Sequence, residues 1–206
     1  MKRTLYLVRH GDTDFNSKQG GGGEAQDTEA RVRSWIDVPL NHKGRLHAAQ
    51  MALKLRDQGI EKITTSDLDR AKETAQIIGH ITKAPVEETH GLRPWDMGDL
   101  AGQKVVEAKP KIDHYFTHPT EKIPGGESYE EFHSRAKETL LGILHRLNSE
   151  PGGNEAAVTH LRVFGTLANI LTNNRKAAQL EPAHSPPGTA WKIEVGDGKF
   201  KLTEYK

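Results

Sequence analysis

Arg9 and His10 stand side by side at the end of a short apolar run, residues 4–8, and Gly11 follows them. An arginine at the edge of a buried strand is costly unless an anion faces it, and a guanidinium fork matches phosphate oxygens two at a time. A histidine becomes a covalent nucleophile when one ring nitrogen is held by a backbone carbonyl and the other faces an electrophile. Two further groups fall at comparable places, Arg70 shortly after the run 60–66 and His160 directly after the run 156–159. Each has a plainer reading. His10 alone could be a hydrogen-bonded structural residue, Arg70 a surface arginine paired with Asp67 or Glu73, and His160 a cap on the following helix. Their shared position at strand ends favours a phosphate site.

The elements that must position them alternate. Strands are expected at residues 4–8, 60–66, 86–89 and 156–159. Helices are expected over 41–59, with Leu46, Ala49, Ala52 and Leu53 on one face, and over 69–81, with Ala71, Ala75 and Ile78 inward. A long helix over 127–147 buries Phe132, Ala136, Leu140, Ile143, Leu144 and Leu147, and another covers 163–171. Residues 91–102 read as a loop. Residues 189–195 and 199–203 form a terminal hairpin around Gly196-Asp197-Gly198. This order predicts a single-domain three-layer α/β/α fold over residues 1–206, with a mostly parallel central sheet and a C-terminal β-hairpin. In such sheets ligands bind beyond the carboxyl ends of the strands. Four glycines, 20–23, predict a flexible loop over about 17–30 near the site mouth.

With 206 residues the chain suits one domain. Lys and Arg number 29 against 28 Asp and Glu, a formal net charge of +1, so no global field draws the chain to nucleic acid or a membrane. The absence of cysteine excludes a disulfide scaffold, thiolate catalysis and cysteine-held metals. The five apolar residues before Arg9 are too few for a signal-peptide core, and no run reaches membrane-spanning length. A cytoplasmic location is expected. Composition says nothing about oligomeric state.

Leu7-Val8-Arg9-His10-Gly11-Asp12-Thr13-Asp14-Phe15-Asn16 resembles the RHGxTxxN signature of the histidine phosphatase superfamily, in its phosphoglycerate-mutase-like branch. Asp37-Val38-Pro39-Leu40 with Gly44 resembles its DxPL…G segment, and Ser66-Asp67-Leu68-Asp69-Arg70-Ala71-Lys72-Glu73-Thr74-Ala75 its SxLxRAxxTA segment. Pro124-Gly125-Gly126-Glu127-Ser128 resembles its PGGES loop, and Val158-Thr159-His160 the strand that delivers a second histidine. Five segments in family order, between about residues 5 and 164, make the resemblance specific. It implies that His10 is the nucleophile and becomes a phosphohistidine, that Arg9, Arg70 and His160 clamp the phosphoryl oxygens, and that Asn16 adds a polar contact. No cofactor or metal is implied. A bound phosphate would favour the charged form of His160.

The departure lies at the general acid. The family's Leu-Arg-Glu reads Leu92-Arg93-Pro94 here, and a proline cannot donate a proton. Asp96, beside Trp95, is the natural substitute, against the reading that it binds backbone amides in a turn. Asp99 and Glu127 are weaker candidates. Arg31 and Arg33 lie where a substrate-facing loop approaches, and Arg93 and Arg162 flank the pocket in sequence. His114 and His118 are four apart, yet no carboxylate lies between them and Pro119 follows, which argues against zinc. Trp35, Trp95 and Trp191 read as core or pocket walls.

The expected activity is hydrolysis of a small phosphomonoester. A mutase would use the same chemistry at His10, but typically carries an insertion that closes over substrate, and no basic pair marks one here. A phosphate-binding module without turnover is the third reading, supported by Pro94.

Overall fold

The computed structural model describes residues 2–15, 30–173 and 185–205. Six strands form one sheet: β1 (Arg3–Arg9), β2 (Ile60–Ser66), β3 (Val86–Thr89), β4 (Asn154–Thr159), β5 (Ala190–Gly196) and β6 (Lys199–Tyr205), in the order β3-β2-β4-β1-β5-β6. β3, β2, β4 and β1 are parallel, while β5 joins β1 antiparallel and pairs with β6 as the terminal hairpin. The first four strands therefore end at one edge of the sheet.

Among the described residues five α-helices cover the two faces: α1 (His42–Leu55), α2 (Asp69–Thr82), α3 (Val105–Thr117), α4 (Tyr129–Ser149) and α5 (Leu161–Thr172). The period-two alternation of β1 splits the core between them. Tyr6 and Val8 pack with Met51, Ala52 and Leu55 of α1 and Ala71, Ala75 and Ile78 of α2. Leu5 and Leu7 face the other way, onto Phe132, Leu140 and Leu144 of α4 and Phe164 of α5. The α/β/α sandwich and the C-terminal hairpin are as the sequence predicts.

Two expectations need correction. The inward face of α1 is Gly44, Ala48, Met51, Ala52 and Leu55, whereas Leu46 and Leu53 are 51% and 54% exposed. Two apolar stripes run along this helix, and the one with the smaller side chains lets α1 approach the sheet closely. Helix α3 lies where no element was expected. Its lysines and Pro110 hide a stripe of Ala108, Ile112 and Phe116, four apart, which is buried. The glycines at 20–23 fall outside the described residues.

Gly11 and Gly44 explain each other. A Cβ on Gly11 would meet the Gly44 carbonyl, and one on Gly44 would meet the backbone of Asp12. The turn after β1 thus rests backbone to backbone on the first turn of α1, which is capped by Asn41 accepting from Gly44 N at 2.8 Å.

Candidate active site

The strand order brings the site together. β4 lies between β2 and β1, with Arg9 beside Thr159 and Thr65 beside Val158. His160 therefore emerges between Ser66 and His10. Its Nε2 is 3.0 Å from Ser66 Oγ, and its ring centroid is 5.0 Å from that of His10. Although His160 is the N-cap residue of α5, its side chain makes no capping bond. His10 Nδ1 donates to its neighbour's carbonyl, Gly11 O, at 2.6 Å. That bond fixes the tautomer and leaves Nε2 with a lone pair.

The arginines converge on these rings. Arg70, at the start of α2, spans the loop before α1, donating from Nη1 to Ile36 O and from Nη2 to Ser34 O, both at 2.9 Å. It pairs with neither Asp67 nor Glu73, which hold Arg93 and Arg45. Ser34 presents its carbonyl from a left-handed conformation, φ 49°. Thr74 Oγ1 ties the same helix to the turn after His10, accepting from Gly11 N and donating to Arg70 O. Arg9 Nη1 donates to Ser185 O. Arg9, His10, Arg70 and His160 are each no more than 3% exposed.

Among the described residues five buried side-chain polar atoms have no hydrogen-bond partner, and three of them belong to this cluster: Arg9 Nε, Arg70 Nε and His160 Nδ1. Unpaired buried donors are costly and rare in folded proteins. His160 Nε2 is paired with Ser66 Oγ, and a His160 that is protonated against an anion presents a donor at Nδ1. Arg9 Nε and Arg70 Nε are donors, and His160 Nδ1 joins them when that ring is protonated.

The charge balance is strongly cationic. Burial, with the charge of Arg33 next, draws Arg9 and Arg70 down to about 9. Burial, with Arg70 next, holds His10 well below the usual histidine value, and the same causes act on His160. Both rings are neutral in the empty site.

The remaining expected residues are placed as follows. Asn16 lies outside the described residues. Asp96 is half-buried on the loop between β3 and α3, where its Oδ1 accepts from Ser34 Oγ at 3.2 Å and from Gly98 N at 3.1 Å. Trp95 lies in the core against Tyr129, donating to Glu127 O. Asp99 is exposed, and Glu127 is taken by a two-point pair with Arg135. Arg31 is exposed and donates to Gly102 O, while Arg33 joins the pocket and donates to Thr13 Oγ1 at 3.3 Å. Arg93 is locked to Asp67 and lies over the Trp35 ring.

Arg135 escaped sequence reasoning. From α4 it also donates to the carbonyls of His90, Gly91, Arg93 and Pro94, pinning the Asp96 loop. Glu127 precedes the Ser128 cap of α4, so no helical spacing links the two residues in the sequence.

The family model described as histidine phosphatase superfamily (branch 1) matches residues 5–206. The chain belongs to the histidine phosphatase superfamily. Within it, the Salmonella paratyphi B protein named "Probable phosphoglycerate mutase GpmB" is 31% identical over 172 residues, covering 81% of this chain and 74% of that protein. YhfR of Bacillus stearothermophilus is 30% identical, with a TM-score of 0.75 over 98% of this chain and 96% of that one. The mycobacterial glucosyl-3-phosphoglycerate phosphatase shares the fold at 20% identity, with a TM-score of 0.74 over 100% and 99% of the two chains.

Proposed function

We propose that this histidine phosphatase superfamily member hydrolyses a small phosphomonoester through a phosphohistidine on His10. The carrying observation is the trio of buried, partnerless polar atoms, Arg9 Nε, Arg70 Nε and His160 Nδ1, beside a histidine whose tautomer leaves Nε2 nucleophilic. A phosphoryl group has three peripheral oxygens, and phosphoryl transfer asks the protein for positioning and charge neutralisation more than for covalent help.

In the first step His10 Nε2 takes the phosphoryl group in line while Asp96 protonates the departing alkoxide. In the second, water attacks the phosphohistidine with Asp96 accepting its proton. Asp96 Oδ1 is held by Ser34 and Gly98, so Oδ2 is the oxygen assigned to proton transfer. The bound dianion raises the proton affinity of His160, which is neutral when the site is empty. Arg9 and Arg70 supply the neutralisation that a metal ion supplies in other phosphatases.

Hydrolysis of para-nitrophenyl phosphate in the presence of chelator tests this reading. Activity is expected for the unaltered protein and loss for His10→Ala; full activity in the variant sinks it. Mutase activity is favoured by the name of the Salmonella relative, and its chemistry at His10 is the same. Product analysis with 3-phosphoglycerate separates the two: free phosphate supports hydrolysis, 2-phosphoglycerate the mutase.

A further inference from the structure

Ser34 is a serine where the backbone favours glycine. Its φ of 49° lies in the left-handed region, which a residue with a Cβ enters at a cost. The residue is 7% exposed, so its hydroxyl answers to protein groups and not to solvent. A strained residue in such a place persists when its surroundings hold it there, and at a functional site the strain points to a use.

Two parts of the site meet on this residue. The Ser34 carbonyl accepts from Arg70 Nη2 at 2.9 Å. Its Oγ lies 2.8 Å from Met97 N and 3.2 Å from Asp96 Oδ1. A hydroxyl has a single proton. Met97 N can only donate, so Oγ accepts there and turns its proton to Asp96 Oδ1. The next residue fastens the same two loops, with Trp35 Nε1 donating to Pro94 O at 2.9 Å. Gly98 N also donates to Asp96 Oδ1, but from the same turn as Asp96. That contact orients the carboxyl within its own loop. Ser34 relates it to Arg70, because hydroxyl and carbonyl belong to one residue and their separation is set by bonded geometry.

We propose that Ser34 is the positioning residue for the general acid. Its hydroxyl aims the Asp96 carboxyl, and its carbonyl ties that aim to the arginine offered to the phosphoryl group. The inference rests on the reading of Asp96 as the acid in phosphomonoester hydrolysis. With two donors on Oδ1, Oδ2 is left to exchange the proton with the leaving oxygen.

Ser34→Gly and Ser34→Ala both remove the hydroxyl and keep the carbonyl, and glycine alone relieves the backbone at this φ. Each is assayed on phenyl phosphate, whose phenolate leaves poorly without a proton, and on para-nitrophenyl phosphate, whose leaving group needs far less help. In both variants kcat for phenyl phosphate is expected to fall about tenfold, and kcat for para-nitrophenyl phosphate much less. Calorimetric titration with inorganic phosphate is expected to give the affinity of the unaltered protein. Beside Asp96→Asn, the Ser34 substitutions should cost phenyl phosphate nothing further.

Equal losses on the two esters make Ser34 a packing residue and overturn the proposal. A selective loss confined to Ser34→Ala traces to the backbone, one that persists beside Asp96→Asn gives the hydroxyl a separate role, and weakened phosphate binding places the effect at Arg70. Each of these overturns it as well. Asp96→Asn alone decides the underlying reading. If that variant loses the two esters equally, Asp96 is not the acid and both fall. A selective loss there, with none in the Ser34 variants, overturns the inference alone. Absence of turnover of either ester by the unaltered protein overturns the hydrolytic reading and the inference with it.

Discussion

The imidazole rings of His10 and His160 stand 5.0 Å apart, inclined by 57°, across the seam between β1 and β4. Two histidines this close, ringed by arginines, cannot both be charged in the empty pocket. That crowding of cationic groups around two neutral rings gives the first prediction.

Burial and Arg70 hold both rings well below the usual histidine value of 6.5. Below about pH 6.5 the unfolded chain binds protons at these positions and the folded chain does not, so folding stability falls as pH drops through that value and is fully present above it. Thermal unfolding between pH 7.5 and pH 5 should show the loss, with a shallower slope for His160→Gln. Saturating phosphate should flatten the slope in the unaltered protein. Identical slopes for protein and variant would contradict the neutral assignment of His160.

Arg70 does two things at once, closing on the carbonyls of Ile36 and Ser34 and offering Nε to the pocket. Arg70→Lys keeps a charge but cannot make all three contacts. Turnover should fall by about 10²–10³-fold, the cost of removing one preorganised transition-state donor. Stability should fall by about 1–3 kcal/mol for the carbonyls left behind. Steady-state kinetics and urea denaturation measure the two losses separately.

Asp96 can be parted from its turn. Asp96→Asn keeps an oxygen for Ser34 and Gly98 yet cannot donate an acidic proton. An alkyl phosphate, whose leaving group needs protonation, should lose about 10²-fold or more, and para-nitrophenyl phosphate much less. Equal small losses on both esters would make Asp96 a turn residue only.

Gly44 and Gly142 give a paired test of packing. A Cβ at Gly44 meets the Asp12 backbone and must displace the turn that carries His10, whereas one at Gly142, inside α4, meets nothing within 4 Å. Gly44→Ala should lose both stability and activity. Gly142→Ala should gain about 0.5–1 kcal/mol with activity retained.

Much of this arrangement was legible in the sequence, and the parts that were not share a physical reason. The ends of β1, β2 and β4 carry Arg9-His10, Ser66 and His160, and runs of apolar residues broken by polar ones announce such ends directly. The same is true of the alternation that predicts the sandwich. What periodicity could not resolve is a choice between equals. On α1, Leu46 and Leu53 offer as good a stripe as Ala48, Met51 and Leu55, and only the closeness of Gly44 to Asp12 decides between them. On α3 the stripe is real but thin, three residues among lysines. Contacts between distant loops were invisible for a different reason: neither Arg135 reaching four carbonyls nor Arg33 turning inward while Arg31 turns outward follows from spacing. Tertiary packing sets both.

The central claim is that His10 Nε2 accepts the phosphoryl group. Mixing the protein with para-nitrophenyl phosphate, quenching in base within a turnover and reading the masses of proteolytic fragments tests it directly. One phosphoryl group is expected on the fragment containing His10, lost on acid treatment and absent from His10→Ala. Turnover without any phosphorylated fragment, or with the phosphoryl group on another residue, would contradict it.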